Sequence, residues 1–279
     1  MTTILEVLEK GAKYLRLKGI IEPRLNIEHL VAHELGLKRM DLYVRFDQPL
    51  DEDKLVSLRE KLKKRGEGTP LQHLNGIVHF YKNDFRCDSR ALIPRPETEE
   101  LVEFILKENL QKPARILDLG CGSGVIGLSL AKELGENCAE LVLADISSDA
   151  LSLSKENALS LEQTAIFCVS DLFSDVHGQF DVIAANLPYV ALRDLETLER
   201  EVAHDPEIAL FSGEDGLDLI RIFVAEVREK LNPGGLVAME VGYDQGEIVC
   251  DLLRENGLTE VVLKKDLSGI ARFPLARRP

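Results

Sequence analysis

The tetrapeptide Asn186-Leu187-Pro188-Tyr189 contains residue types that could present a planar nitrogen for methylation. An amide nitrogen is a poor nucleophile because its lone pair is delocalised into the carbonyl group. A site that methylates it must hold both N–H bonds, and the Asn186 side-chain oxygen and the Pro188 backbone carbonyl are suitable acceptors. Pro188 fixes the turn, and Tyr189 offers a flat surface for the planar group. These residues predict catalysis by positioning and electrostatics, with no strong base.

A glycine-rich segment, Asp118-Leu-Gly-Cys-Gly-Ser-Gly124, could bind the ligand that donates the methyl group. Its glycines allow a tight turn and close approach of a ligand to the backbone, and the helix that follows offers free N–H groups. With Gly127 the segment also satisfies the G-x-G-x-x-G spacing of dinucleotide sites, so a dinucleotide is an alternative ligand. The residues predicted to bind the ligand here are Gly120, Cys121, Gly122, Ser123 and Gly124.

Two acidic residues, Asp118 and Asp171, favour S-adenosylmethionine over a dinucleotide, whereas a third, Asp145, suits either ligand. Asp118 precedes the glycines, where its charge suits the ammonium group of a methionine moiety but opposes a pyrophosphate. Asp145 ends the second predicted strand, where a carboxylate can accept both hydroxyls of a ribose. Asp171 follows the third strand and could accept from an adenine amino group. Taken alone, the glycine-rich segment also fits a plain strand-to-helix turn. Taken alone, Asn186-Leu187-Pro188-Tyr189 also fits a simple strand-to-loop turn.

The elements that would position these residues alternate between strand and helix from Pro96 onward. The predicted strands are Arg115–Leu119, Leu141–Asp145, Ala165–Val169, Phe180–Ala185, Leu236–Val241 and Glu260–Lys264. Helices are predicted at Val125–Leu134, Asp149–Leu159 and Leu217–Leu231. Such alternation is typical of a mostly parallel twisted sheet with helices on both faces, where ligands bind beyond the carboxyl ends of the strands.

The N-terminal part of the chain has a different pattern. Apolar residues at helical spacing predict a small helical bundle over residues 1–70, and turn residues predict a β-hairpin and linker over 71–95. The catalytic domain would then occupy 96–279. Asp205-Pro206 and the glycines at 213 and 216 predict a long loop after the tetrapeptide, interpreted as a lid over the acceptor.

Charge and composition restrict the partners. Residues 1–70 carry 14 Lys and Arg against 12 Asp and Glu, which leaves 20 basic and 36 acidic residues in 71–279. That acidic balance opposes binding of a phosphate backbone. The five cysteines have no zinc-like spacing, and no apolar run is long enough to span a bilayer. We therefore expect a cytoplasmic monomer that uses no metal and binds neither nucleic acid nor membrane.

The chain resembles the PrmC (HemK) family of protein-(glutamine-N5) methyltransferases. The resemblance covers nearly the full length and is carried by the glycine loop, the Asn-x-Pro-Tyr turn, the segment from Arg65 to Gln72 and the linker Leu92-Ile-Pro-Arg-Pro-Glu-Thr-Glu99. It implies a Rossmann-like domain that uses S-adenosylmethionine, yields S-adenosylhomocysteine and methylates the glutamine of the Gly-Gly-Gln loop of peptide-chain release factors, modulating translation termination. The small helical domain would bind that protein substrate.

The resemblance also assigns roles to residues. It implies cofactor contacts for Gly120 to Gly124, Asp145, Leu172 and Asn186, and substrate contacts for Asn186 to Tyr189. Leu187 and Leu172 depart from the family pattern, which often has a proline and a tryptophan there. Three alternatives stay open at this point: adenine-N6 methylation of nucleic acid, a dinucleotide-dependent oxidoreductase, and a non-enzymatic adaptor.

Overall fold

A computed structural model of the protein describes residues 2–197 and 204–279. Residues 198–203, within the predicted long loop, lie outside the described residues. The chain divides into two compact units. Among the described residues, the first comprises those up to Ile77 together with His204, and the second comprises the others from Val78 onward. None of the helices in the described ranges is both long enough and apolar enough to cross a bilayer.

The first unit is a small bundle of helices. They are α1 (Ile4–Leu17), α2 (Pro23–Leu35), α3 (Glu52–Gly66) and α4 (Leu71–Asn75), with a 3-10 turn at Arg39–Val44. The apolar residues of α1 recur at helical spacing, and Ile4, Leu8 and Leu15 are fully buried. Gly11 lets α1 approach α2 closely, because a Cβ atom there would lie 2.6 Å from Ile27 Cγ1.

The second unit contains a seven-stranded sheet. A separate two-stranded sheet pairs β1 (Ile77–Phe80) with β2 (Asn83–Arg86). The strands of the large sheet are β3 (Ala114–Leu119), β4 (Cys138–Asp145), β5 (Ile166–Val169), β6 (Phe180–Asn186), β7 (Leu231–Glu240), β8 (Thr259–Lys265) and β9 (Ala271–Arg277). Their order is β5-β4-β3-β6-β7-β9-β8, and the first five are parallel.

Helices cover both faces of this sheet. They are α5 (Pro96–Lys107), α6 (Val125–Leu134), α7 (Ser148–Ser160), α8 (Asp218–Lys230) and α9 (Gly246–Glu255). Adjacent residues of β3 point to opposite faces, as period-two alternation requires: Ile116 joins the core that contains α5, α6 and α7, whereas Leu117 joins the core that contains α8 and α9. This arrangement confirms the predicted α/β fold.

The sequence prediction missed the antiparallel edge of the sheet. Strand β9 lies between β7 and β8 and is antiparallel to both. Pro274 lies within β9, and a proline usually argues against a strand because it cannot donate a ladder hydrogen bond. The order β3-β6 at the centre places the carboxyl ends of β3, β4, β5 and β6 along one edge, where the chain order reverses.

Candidate active site

One cavity opens at this edge of the sheet. Counted with space that is open to solvent, it has a volume of about 1150 Å³. Ten of the residues predicted for the site line it: Gly120, Cys121, Gly122, Ser123, Asp145, Asp171, Leu172, Asn186, Leu187 and Pro188. Asp118, Gly124 and Tyr189, also predicted, do not line it.

The glycine loop between β3 and α6 takes a conformation that side chains disfavour. Gly120, Gly122 and Gly124 all have positive φ, at 69°, 54° and 80°. The backbone N–H groups of Gly120 and Cys121 donate to the carbonyl of Ala144 on the neighbouring strand β4. The loop is therefore fixed against the sheet while its upper surface faces the cavity.

Asp145, at the end of β4, is held by two backbone donors. Its Oδ2 accepts the N–H of Gly122 at 2.8 Å and its Oδ1 accepts the N–H of Ser147 at 2.9 Å. Burial raises the pKa of Asp145, and these backbone hydrogen bonds act in the opposite direction. Each oxygen keeps a second lone pair, so the carboxylate can accept two further hydrogen bonds from a ligand in the cavity.

Asp118 lies behind the glycine loop rather than on the cavity wall. It is fully buried, and its Oδ2 accepts the N–H of Gly127 at 2.8 Å. Gly127 permits this approach, because a Cβ there would lie 2.9 Å from the Asp118 Cβ. Burial raises the pKa of Asp118 to about 7. Its Oδ1 is buried without a hydrogen-bond partner, so a donor from a ligand or water would lower the free energy of this group.

The loop after β5 brings Asp171 and Leu172 to the cavity. The Ser170 hydroxyl donates to the Leu172 carbonyl at 2.7 Å and accepts the N–H of Asp175 at 3.0 Å, which closes a tight turn. Leu172 has a φ of 46°, in the left-handed region that costs a branched residue about 1–2 kcal/mol. The hydrogen bonds of Ser170 therefore hold Leu172 in a strained conformation on the cavity wall.

The tetrapeptide follows directly from β6. Asn186 is the last residue of that strand, and Leu187 is buried against the glycine loop, where a Cβ at Gly120 would lie 3.0 Å from Leu187 Cδ2. The Tyr189 ring packs on the core beneath the sheet, and the Tyr189 carbonyl accepts from Gln245 Nε2 at 3.0 Å. The Tyr189 side chain is not among those that line the cavity. Contact of its ring with the acceptor stays a prediction.

Two buried polar residues next to Asn186 were not predicted. Thr98 in the first turn of α5 accepts from Asn186 Nδ2 at 3.5 Å and donates to Glu240 Oε2 at 2.7 Å. Glu240 ends β7, in register with Asn186 on β6. Burial raises its pKa to about 7, although the hydrogen bond from Thr98 and the charge of Arg272 lower it. Glu240 could have been suspected, because it too ends a central parallel strand.

The segment that follows residue 203 is tied to the linker before α5. Asp205 Oδ1 accepts the N–H of Ile93 at 3.1 Å, and Asp205 Oδ2 accepts from the Arg95 guanidinium at 2.8 Å. Pro206 and Ile208, immediately beyond Asp205, line the cavity. The Asp205 carboxylate therefore fixes one wall of the cavity to another.

The chain matches two family models and many curated proteins. Residues 6–76 match the family described as PrmC N-terminal domain, and residues 98–213 match Methyltransferase small domain. A release factor glutamine methyltransferase from Geobacter sulfurreducens is 38% identical over 97% of this chain and 95% of its own length. Another, from Deinococcus radiodurans, is 35% identical over 98% of both chains.

A solved structure supports the fold. A methyltransferase from Pyrococcus furiosus superposes with a TM-score of 0.52, at 15% sequence identity, covering 70% of this chain and 88% of its own. At that identity the likeness confirms the Rossmann-like sheet alone.

Proposed function

Because the chain belongs to the family of release factor glutamine methyltransferases, we propose that it transfers a methyl group from S-adenosylmethionine to a glutamine side-chain nitrogen in a peptide-chain release factor. The glutamine is that of the Gly-Gly-Gln loop. The observation that carries this proposal is the position of Asn186, an amide at the carboxyl end of β6, on the wall of the cavity that the glycine loop and Asp145 also line.

The residues of the cavity fit S-adenosylmethionine, which supplies a methyl group bonded to a positively charged sulfur. The Asp145 carboxylate, already oriented by Gly122 and Ser147, would accept the ribose hydroxyls. Asp171 and Leu172 would contact the adenine, and the glycine loop would pass close to the methionine moiety. The unpartnered Oδ1 of Asp118 is the buried acceptor that a bound ammonium group would satisfy, directly or through water.

The acceptor nitrogen would be held by Asn186 and Pro188. The Asn186 Oδ1 and the Pro188 carbonyl would accept the two N–H bonds of the glutamine amide, which would turn the nitrogen lone pair toward the methyl group. S-adenosylmethionine would supply the methyl carbon, and its carbon–sulfur bond would break as the bond to nitrogen forms. The methylated nitrogen is acidic and loses its proton to solvent, so no residue of the chain needs to act as a strong base.

We propose that the helical first unit binds the release factor, because residues 6–76 match a family model separate from that of the methyltransferase domain. A release factor as substrate supports the proposed cytoplasmic location. Neither the charge balance nor the relatives favour nucleic acid, because residues 71–279 carry 36 acidic against 20 basic side chains. The relatives' names likewise favour methyl transfer over a dinucleotide-dependent reaction.

Mass-spectrometric mapping of a release factor incubated with the enzyme and S-adenosylmethionine would test this proposal. We expect one added methyl group, on the glutamine of the Gly-Gly-Gln loop. Methylation of nucleic acid with an unlabelled release factor would contradict it. Calorimetric binding of NAD in the absence of S-adenosylmethionine binding would contradict the assignment of the methyl donor.

A further inference from the structure

Three polar side chains from three separate elements form a chain of hydrogen bonds beneath the acceptor position. Asn186 Nδ2 donates to Thr98 Oγ1 at 3.5 Å, and Thr98 Oγ1 donates to Glu240 Oε2 at 2.7 Å. We propose that Thr98 and Glu240 are positioning residues that determine which end of the Asn186 amide faces the cavity. The inference rests on the proposed function and adds two residues to it: Thr98, which also lines the cavity, and Glu240, which does not.

The direction of the chain follows from the donors available. An ionised carboxylate can only accept hydrogen bonds, so the single hydrogen of the Thr98 hydroxyl goes to Glu240. The Thr98 oxygen then has only lone pairs to offer to Asn186, and it must receive the Nδ2 end of the amide. The Asn186 Oδ1 is left as the acceptor on the cavity side. A reversed amide would present N–H groups to a substrate that also presents N–H groups.

Burial enforces this direction while Glu240 is ionised. Thr98 is 2% exposed and Glu240 is 1% exposed, so water does not compete for their hydrogen bonds. A buried carboxylate is costly unless it is hydrogen-bonded, and an apolar residue of similar size would fill the same space at lower cost. We therefore assign to the buried Glu240 carboxylate the role of orienting the Asn186 amide.

Tyr189 lies near the same carboxylate. It lowers the pKa of Glu240, and its ring packs against the core and does not line the cavity. The aromatic residue of the tetrapeptide thus acts on the group that orients the first residue of the tetrapeptide.

The test compares Thr98→Val, which keeps the shape but removes the hydroxyl, with Thr98→Ser, which restores it. Ser129→Ala is the matched control, since Ser129 is also fully buried on a helix and its hydroxyl has no partner. For each variant we would measure kcat and KM for a release factor, the Kd of S-adenosylmethionine, and solvent exchange of the Asn186 Nδ2 protons by NMR.

We expect Thr98→Val to lower kcat about tenfold to hundredfold, the effect of one lost hydrogen bond to a catalytic group, with an unchanged Kd for S-adenosylmethionine. Exchange of the Asn186 Nδ2 protons should accelerate in Thr98→Val and return toward the original rate in Thr98→Ser. The Ser129→Ala variant should match the original protein in all three measurements.

Two results would overturn the inference: an unchanged kcat in Thr98→Val, or Nδ2 exchange that does not depend on the hydroxyl. If Thr98→Val does not fold, the same measurements are made on Glu240→Gln. The glutamine amide can donate a hydrogen bond to Thr98, which permits the reversed orientation of the Asn186 side-chain amide. The NMR measurement needs no substrate. If the original protein methylates no release factor, the proposed function fails while the orientation of Asn186 is still decided.

Discussion

Asp205 and Arg95 form an ion pair across 110 positions of sequence, with an N–O distance of 2.8 Å. The Asp205 carboxylate has no exposed surface, whereas the Arg95 side chain is about one third exposed. This pair joins the linker before α5 to the segment that contains Pro206 and Ile208. The linker segment that contains Arg95 thus has a structural function, because it holds a wall of the cavity in place.

Replacing Asp205 with Asn should loosen this wall. We expect the free energy of unfolding to fall by about 1–3 kcal/mol, less than for a fully buried pair because solvent screens Arg95. The KM for the release factor should rise, since Pro206 and Ile208 lose their anchor. Urea denaturation and steady-state kinetics would measure both effects. Asp251→Asn, which removes an exposed pair with Arg254, should change neither.

Replacing Asn186 with Ala should separate methyl transfer from cofactor binding. The variant lacks one acceptor for the glutamine N–H groups, so we expect kcat to fall on the order of 10²–10³-fold, the usual loss for one oriented polar group at a reacting centre. Most of the affinity for S-adenosylmethionine should remain, as calorimetry would show. Unchanged kcat would exclude Asn186 from the reaction.

Replacing Asp145 with Asn should weaken cofactor binding. The carboxylate accepts from Gly122 and Ser147 and has lone pairs left for two ribose hydroxyls. An amide can accept with only one of its two ends, so the Kd for S-adenosylmethionine should rise about tenfold to hundredfold. Asp149→Asn, at an exposed position of the next helix, is the matched control and should leave the Kd unchanged.

The activity should depend on pH through Glu240. Its pKa is raised from 4.5 to about 7 by burial. Above this pH the carboxylate only accepts and keeps the Asn186 amide in the productive orientation. Below this pH, the protonated Glu240 can donate a hydrogen bond to Thr98, and the Asn186 amide is no longer held in the productive orientation. We therefore expect kcat to fall as the pH falls through about 7.

The contribution of Glu240 to the free energy of unfolding changes with pH in the direction opposite to kcat. Because its folded pKa lies above its unfolded pKa, the folded protein binds more protons between pH 4.5 and about 7, and stability falls as the pH rises through this window. The charged or titratable groups that act on Glu240 are Glu97, Tyr189 and Arg272. In Glu240→Gln, kcat should no longer fall as the pH falls through about 7. If that decrease persists, it must come from another group, for example Asp118, whose pKa is also about 7.

Removal of the first unit should affect the protein substrate alone. The second unit has its own cores on both faces of the sheet, so a chain that begins at Val78 should retain S-adenosylmethionine affinity. Methylation of an intact release factor should be lost, as for deletion of residues 1–70. Full activity of the truncated chain on the whole factor would show that the helical unit does not bind it.

The sequence was most informative where one element suffices to define a position. Asp145 and Asn186 each end a strand, and the carboxyl end of a parallel strand is where ligands bind, so their places in the cavity could be predicted. Asp118 was harder, because its distance from the cavity depends on how closely α6 packs at Gly127.

The rest depended on relationships between distant parts of the chain. Thr98 and Glu240 meet only because α5 packs beside β7 and because the β6–β7 register pairs Asn186 with Glu240. Neither the packing of a helix nor the register of two strands can be predicted from local residue patterns. Strand β9 was missed for a similar reason, since its pairing partners outweigh the effect of Pro274.

The chain of hydrogen bonds that ends at Glu240 also has a consequence for biosynthesis. Thr98 and Glu240 are 142 residues apart, and β7 can join the sheet only after most of the chain has left the ribosome. Until then Asn186 has no fixed amide orientation, although the glycine loop and Asp145 have already been synthesised. The proposed orientation of the Asn186 amide therefore depends on a contact that is completed late in synthesis, when β7 pairs with β6.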